Sequence, residues 1–153
     1  MKLCLSFVFL FIMLLAPVPL TKSQIKPLKS ISSKELECLV KNAFHEAIGE
    51  GDTGMLIVTK VVLNRSAITG ESYCKTIHRN HQFSWTTKKH KHIPSHVYSE
   101  ISAVILQFYN GFITIPEEFH DVLFFHNTSV KPYWTKGLVK IGNWRNHVFY
   151  KSI

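Results

Sequence analysis

Acidic residues are scarce in this chain: ten Asp and Glu stand against eighteen Lys and Arg in 153 residues. Two of the bases, Lys2 and Lys22, fall in an apolar leader that carries no acid, so the remainder holds sixteen bases, ten acids and a net charge of +6. A basic surface suits an anionic polymer such as nucleic acid, an acidic glycan or an envelope surface, and does not choose among them. Long apolar runs are scarce too. Leu3 to Leu15 is the one such run, preceded by Met1-Lys2 and broken by Ala16-Pro-Val-Pro-Leu20. It is short for a membrane span and ends near the small residues Thr21 and Ser23, the pattern of a secretory signal peptide cleaved after Ser23. The protein is therefore expected in the periplasm, the cell envelope or the extracellular space, touching a membrane only transiently through that segment. Cysteine is nearly absent. With Cys4 lost in the leader, Cys38 and Cys74 remain, either as two thiols or as a disulfide, and the oxidising compartment favours the disulfide. Neither HExxH nor CxxC occurs. His92 and His96 have helical ligand spacing, but Pro94 lies between them and lysines crowd the segment, so no metal and no cofactor is expected.

The remaining residues fit one modest domain. The expected organisation is a signal peptide at 1–23, a flexible lead at 24–31 and a catalytic domain at 32–153. Ser32-x-x-Glu35 reads as a capping box that opens a first helix, which Gly49 and Gly51 end. Asp52 or Thr53 then caps a second helix, so rich in Met, Leu, Ile and Val that it should be the central buried element. Residues 74–96 are polar and basic, and Lys88-Lys-His-Lys-His92 reads as a solvated charge run in a surface loop. A third helix opens at Ser95 or His96 and stops at Asn110-Gly111. Short strands are expected over 122–127 and 147–151, with a long turn between them. Helices first and a small sheet last make the fold class α+β, mainly helical with a small antiparallel sheet near the C-terminus.

Within the first helix, Leu36, Leu39, Val40, Ala43, Phe44 and Ala47 form an apolar stripe. Glu46, two turns after Leu39, points nearly the same way. A carboxylate on that side, close to the negative end of the helix dipole, resists ionisation and gains the raised pKa that a general acid needs. Glu50 lies one turn on, and like charges at that spacing push one pKa up. The rival reading makes both ordinary charges at a helix end. Gln82-Phe-Ser-Trp85 combines hydrogen-bonding groups (Gln82, Ser84) with rings (Phe83, Trp85) that could stack on sugars. The rival there is a loop anchored in the core, stronger for Phe83 than for Trp85. His126, Asn127, Tyr133, Trp134 and His147 add further binding candidates in the last third.

Taken in order, these segments resemble the cell wall hydrolase family that includes the spore-cortex-lytic enzymes and their phage and proteobacterial relatives. The resemblance rests on Cys38-Leu-x-x-Asn-x-x-His-Glu-Ala-x-Gly-Glu50, Val61-Val-Leu-Asn-Arg65, Cys74-x-Thr-Ile77, Gln82-Phe-Ser-Trp85, Phe125-His-Asn127, Tyr133-Trp134 and His147-Val-Phe-Tyr150. It implies a lysozyme-like fold, peptidoglycan glycan strands as substrate, and for many members lytic transglycosylase chemistry with 1,6-anhydro-muramic acid products. The family's catalytic glutamate falls on Glu46, and secreted relatives carry cysteines at positions 38 and 74. Ile48 stands where members usually have Arg, and Lys88-Lys89 where many have an Asp nearby. The expectation is a monomeric peptidoglycan-cleaving enzyme that binds no nucleic acid. Its rivals are a hydrolytic muramidase, a non-catalytic wall-binding protein on the same fold, and a histidine-assisted nuclease.

Overall fold

The computed structural model describes residues 28–89 and 91–153. The expected signal peptide at 1–23, and residues 24–27 of the lead, lie outside the described residues. Helix α1 (Ser33–Ala47) passes through a 3-10 turn (Ile48–Glu50) into α2 (Gly51–Thr69), followed by the short α3 (Tyr73–His78) and by α4 (Ser95–Tyr109). Strands β1 (Phe124–Asn127), β2 (Val139–Trp144) and β3 (His147–Lys151) form one antiparallel sheet in the order β1-β3-β2. The fold is thus α+β, helices first and a small sheet last.

Each helix start has a local cause. Ser32 caps α1, its hydroxyl accepting from the Glu35 amide at 3.2 Å. Glu35 does not complete the expected capping box. Its carboxylate reaches α3 instead, accepting from the Tyr73 amide at 2.6 Å and the Cys74 amide at 3.3 Å. The two helix starts are tied further by the Cys38–Cys74 disulfide, with Cα atoms 5.3 Å apart. Neither Asp52 nor Thr53 caps α2. That helix begins at Gly51, whose φ of 71° makes the sharp turn that a side chain would strain. α2 is buried on most sides, through Gly54–Thr59 and Val61-Val62, and α1 and α4 pack around it with Leu39, Val40, Ala43, Ile101 and Ile105.

The run Val61-Val-Leu-Asn-Arg65 couples the helices to the sheet. Asn64 Nδ2 donates to the carbonyls of His120 and Val122, and Arg65 Nε donates to the Leu123 carbonyl at 2.7 Å. Through the alternation of β1, Phe125 turns inward onto Phe83 and Phe149, while Phe124 and His126 share the other face with Tyr150. β2 lies inside what the sequence suggested was a long turn. It contains Gly142 and a register shift between Lys140 and Gly142, which blur the strand pattern.

Candidate active site

Glu46 occupies the last turn of α1, half-buried, one turn after the buried Asn42. Among the described residues no hydrogen bond reaches its carboxylate. Burial raises its pKa above the ordinary carboxylate value, and the Lys88 ammonium partly opposes that rise. Its two sequence neighbours diverge from it: His45 stacks on Trp85 at 4.8 Å between centroids, and Ala47 enters the core.

Glu50 has a different position from the one its spacing suggested. Because α1 stops at Ala47 and the 3-10 turn redirects the chain, Glu50 is 5 % exposed and points at the β2–β3 turn. There it accepts from the Asn146 amide at 3.1 Å and from Asn146 Nδ2 at 3.2 Å. Trp144 Nε1 donates to the Glu50 carbonyl and Arg145 Nη1 to the Gly49 carbonyl. Four bonds therefore join two turns some 95 residues apart, and they hold Arg145 in the left-handed region at φ 45°. Glu50, a substrate-binding candidate by sequence, thus accepts one bond on each oxygen within this junction. Gly54 makes room for it: a Cβ there would collide with Glu50 Cβ and meet Trp144 Cδ1 at 3.1 Å. His147 is buried beside it, with Nδ1 4.0 Å from Glu50 Oε2 and unpaired among the described residues. Burial lowers its pKa, more than the Glu50 charge can offset, so it is neutral near pH 7.

The Gln82–Trp85 segment is folded onto the helices by its own side chains. Gln82 Oε1 accepts from Arg65 Nη1 at 2.8 Å. Phe83 is 3 % exposed against Phe125 and the Arg65 guanidinium, so it anchors the segment and offers no ring face to a sugar. Trp85 is 8 % exposed, and its Nε1 donates to Asn42 Oδ1 at 2.9 Å. Ser84 is exposed at the start of the 84–87 turn and lines a depression with Trp85 and Lys88.

The remaining candidates form a second group. His126 Nε2 is 3.0 Å from the Tyr150 hydroxyl, and Trp134 packs against Phe124, His126 and Tyr150 on the same face of the sheet. Tyr133 projects beside them, 85 % exposed, and Asn127 accepts from the Ser129 amide. His147 and Phe125 lie on the opposite face, so strand alternation divides the sheet candidates between its two sides. Among the described residues no hydrogen bond or ring contact links His126, Tyr133 or Trp134 to Glu46.

Three participants went unassigned in the sequence. Asn42 holds Trp85, Arg65 holds Gln82, and Asn146 holds Glu50. Asn42 and Arg65 stand in the quoted motifs, which was their one signal; Asn146 had none. Arg65 is half-buried between Phe83 and Phe124, and burial, with Arg79 nearby, pushes its pKa down to about 10.

A family model described as Cell Wall Hydrolase matches residues 49–150, about two thirds of the chain. No curated protein and no solved structure matches it. The matched stretch takes in Glu50, Gln82–Trp85, His126 and His147, and begins three residues after Glu46.

Proposed function

The chain belongs to the cell wall hydrolase family, and on that premise we propose that it is an exported enzyme that cleaves peptidoglycan glycan strands between N-acetylmuramic acid and N-acetylglucosamine, as a lytic transglycosylase. Glu46 serves first as acid and then as base. The observation that carries this reading is the contrast between the two glutamates. Glu46 is half-buried, free of hydrogen bonds among the described residues and raised in pKa, whereas Glu50 is enclosed and bonded to Asn146.

A hydrolase that inverts or forms a covalent glycosyl intermediate needs two carboxylates across the bond. With Glu50 committed elsewhere, a one-carboxylate route fits better. Protonated Glu46 gives its proton to the bridging oxygen as the bond from that oxygen to the muramic C1 breaks. The glucosamine fragment leaves as an alcohol, and positive charge develops on C1 and the ring oxygen. The Glu46 carboxylate then takes the proton of the muramic 6-hydroxyl while that oxygen bonds to C1. The products are a 1,6-anhydro-muramic end and a free glucosamine hydroxyl; no water is consumed and Glu46 ends protonated. A raised pKa keeps the acid form populated nearer neutrality, where this cycle must start.

Purified protein incubated with peptidoglycan sacculi tests this by product mass. Anhydro-muropeptides are expected, and Glu46→Gln should abolish their release while leaving folding and wall binding intact. Reducing-end products would indicate a muramidase instead. An active Glu46→Gln protein would remove Glu46 from the mechanism.

A further inference from the structure

Five lysines gather along the side of α1 that carries His45. Two open depressions, about 520 and 340 Å³, share His45, Trp85 and Lys91 as a common wall and lie side by side as a two-part trough. Lys34 and Lys41 line it from α1, and Lys88, Lys89 and Lys91 from the segment after the 84–87 turn. His78 and His92 face it from α3 and from the approach to α4. Glu37 is the one acid among the described lining residues, and it is paired with Lys41 at 2.5 Å. The trough therefore carries a net charge of four positives with its histidines neutral. Trp85, at the root of the segment that carries Lys88 and Lys89, is hydrogen-bonded to Asn42 and stacked on His45.

Lys88 connects this trough to the proposed catalytic group. It lines the smaller depression, and its charge acts on Glu46. Lys88 thus brings one of these positive charges within electrostatic reach of Glu46. In a peptidoglycan strand the amino sugars are largely uncharged, and the carboxylates sit on the short stem peptides that hang from each muramic lactyl group. A strand placed with its scissile bond at Glu46 hangs such a peptide next to the bond. We infer that the Lys34–Lys41–Lys91 trough binds the carboxylate-bearing stem peptide of the strand being cleaved, so that peptide-substituted glycan is the preferred substrate. This inference rests on the reading of Glu46 as the catalytic acid for its placement of the strand.

The test uses the full chain and the triple variant Lys34→Gln/Lys41→Gln/Lys91→Gln, which leaves Glu46 and Lys88 untouched. Its folding is checked by thermal melting. Cleavage rates are compared on intact sacculi and on glycan strands freed of peptide by an amidase. The wild type should favour the peptide-bearing material. The variant should lose about tenfold on it and nothing on stripped strands, as expected for three exposed charge pairs. Added salt should reproduce the loss in the wild type. Equal losses on both substrates, or none on either, would overturn the inference. A free stem tetrapeptide titrated into both proteins, followed by NMR shifts, gives an arm independent of cleavage. If the wild type cleaves neither substrate, the catalytic reading fails. The trough then stands if the peptide binds the wild type and not the variant, and falls if it binds neither. A phosphodiester oligomer that occupies the trough while the tetrapeptide does not would also overturn it.

Discussion

Gly54→Ala sets two magnitudes of opposite sign against each other. Gly54 lies in the first turn of α2, where alanine gains about 1 kcal/mol in helix propensity. The new methyl, however, would occupy the space held by Glu50 Cβ and would sit 3.1 Å from Trp144 Cδ1. A Cβ atom is fixed by its own backbone and cannot rotate away, so the 48–51 turn must shift. Overpacking of this kind costs about 1–3 kcal/mol. A shift of Glu50 also weakens its two bonds from Asn146, and hydrogen bonds to a charged group contribute about 1.5–3 kcal/mol each. The losses exceed the gain, for a net destabilisation of about 2–4 kcal/mol. At about 4 °C per kcal/mol for a domain of this size, the melting temperature should fall by about 8–16 °C. Thermal unfolding by circular dichroism measures this. Gly49→Ala is the matched control: nothing lies within 4 Å of a Cβ there, so its stability should change by no more than about 0.5 kcal/mol. A Gly54→Ala protein that melts at or above the wild-type temperature would refute the account of the junction.

Replacing both Cys38 and Cys74 by Ser opens a loop of 36 residues, which the chain-entropy relation values at about 4 kcal/mol; the melting temperature should drop by about 15 °C, and a drop below about 3 °C would show that the cross-link hardly constrains the unfolded chain. Glu46→Gln should raise stability at pH 7. The Glu46 pKa is raised in the folded protein, so the folded state holds its proton more tightly than the unfolded chain, and stability is lost as pH rises from about 4.3 through the folded value. Glutamine removes that loss, so the two proteins should melt together near pH 3.5 and diverge at pH 7, with the glutamine variant the more stable. Lys88→Gln removes the cation that holds the Glu46 pKa down, and the alkaline limb of the cleavage rate should move to higher pH; an unmoved limb would separate Lys88 from Glu46.

The parts legible in the sequence are those whose cause is local. Helical spacing and the Ser32 cap are contained within a few residues, and α1 and α4 follow from that spacing, while α2 is legible from its apolar richness. The apolar stripe likewise places Glu46 where it is found, half in the core. Partners distant in the chain were illegible. Glu35 fits a capping box, but Tyr73 and Cys74 take its carboxylate from 38 and 39 residues away. The i, i+4 relation between Glu46 and Glu50 assumes a continuous helix, and the break at Ala47, with φ −141° and ψ 16°, ends that assumption. α3 has six residues, too few to show a period, and is held by the Ser72 cap and the disulfide. The aromatic residues of the 82–85 segment were ambiguous because a ring that stacks on a sugar and a ring that anchors a loop have the same composition; burial separates them.

The carboxylate of Glu46 stands between two tertiary ties without belonging to either. On one side Asn42 holds Trp85, fixing the helical turn that precedes it. On the other, Glu50 and Gly49 hold the β2–β3 turn, fixing the turn that follows. In the proposed cycle Glu46 is protonated at one step and ionised at the next, and a hydrogen bond that favours one of those states would serve it poorly. Rigidity supplied through its neighbours avoids that conflict: the backbone is held at both ends while the carboxylate keeps both protonation states within reach. Lys88, from an exposed segment, then acts as an electrostatic counterweight to burial, with no bond to be broken when the proton moves. The same division of labour explains why two glutamates one turn apart have opposite surroundings. Exchanging their environments would put a hydrogen-bonded carboxylate at the end of α1 and an unpaired charge in the junction, which is costly to bury.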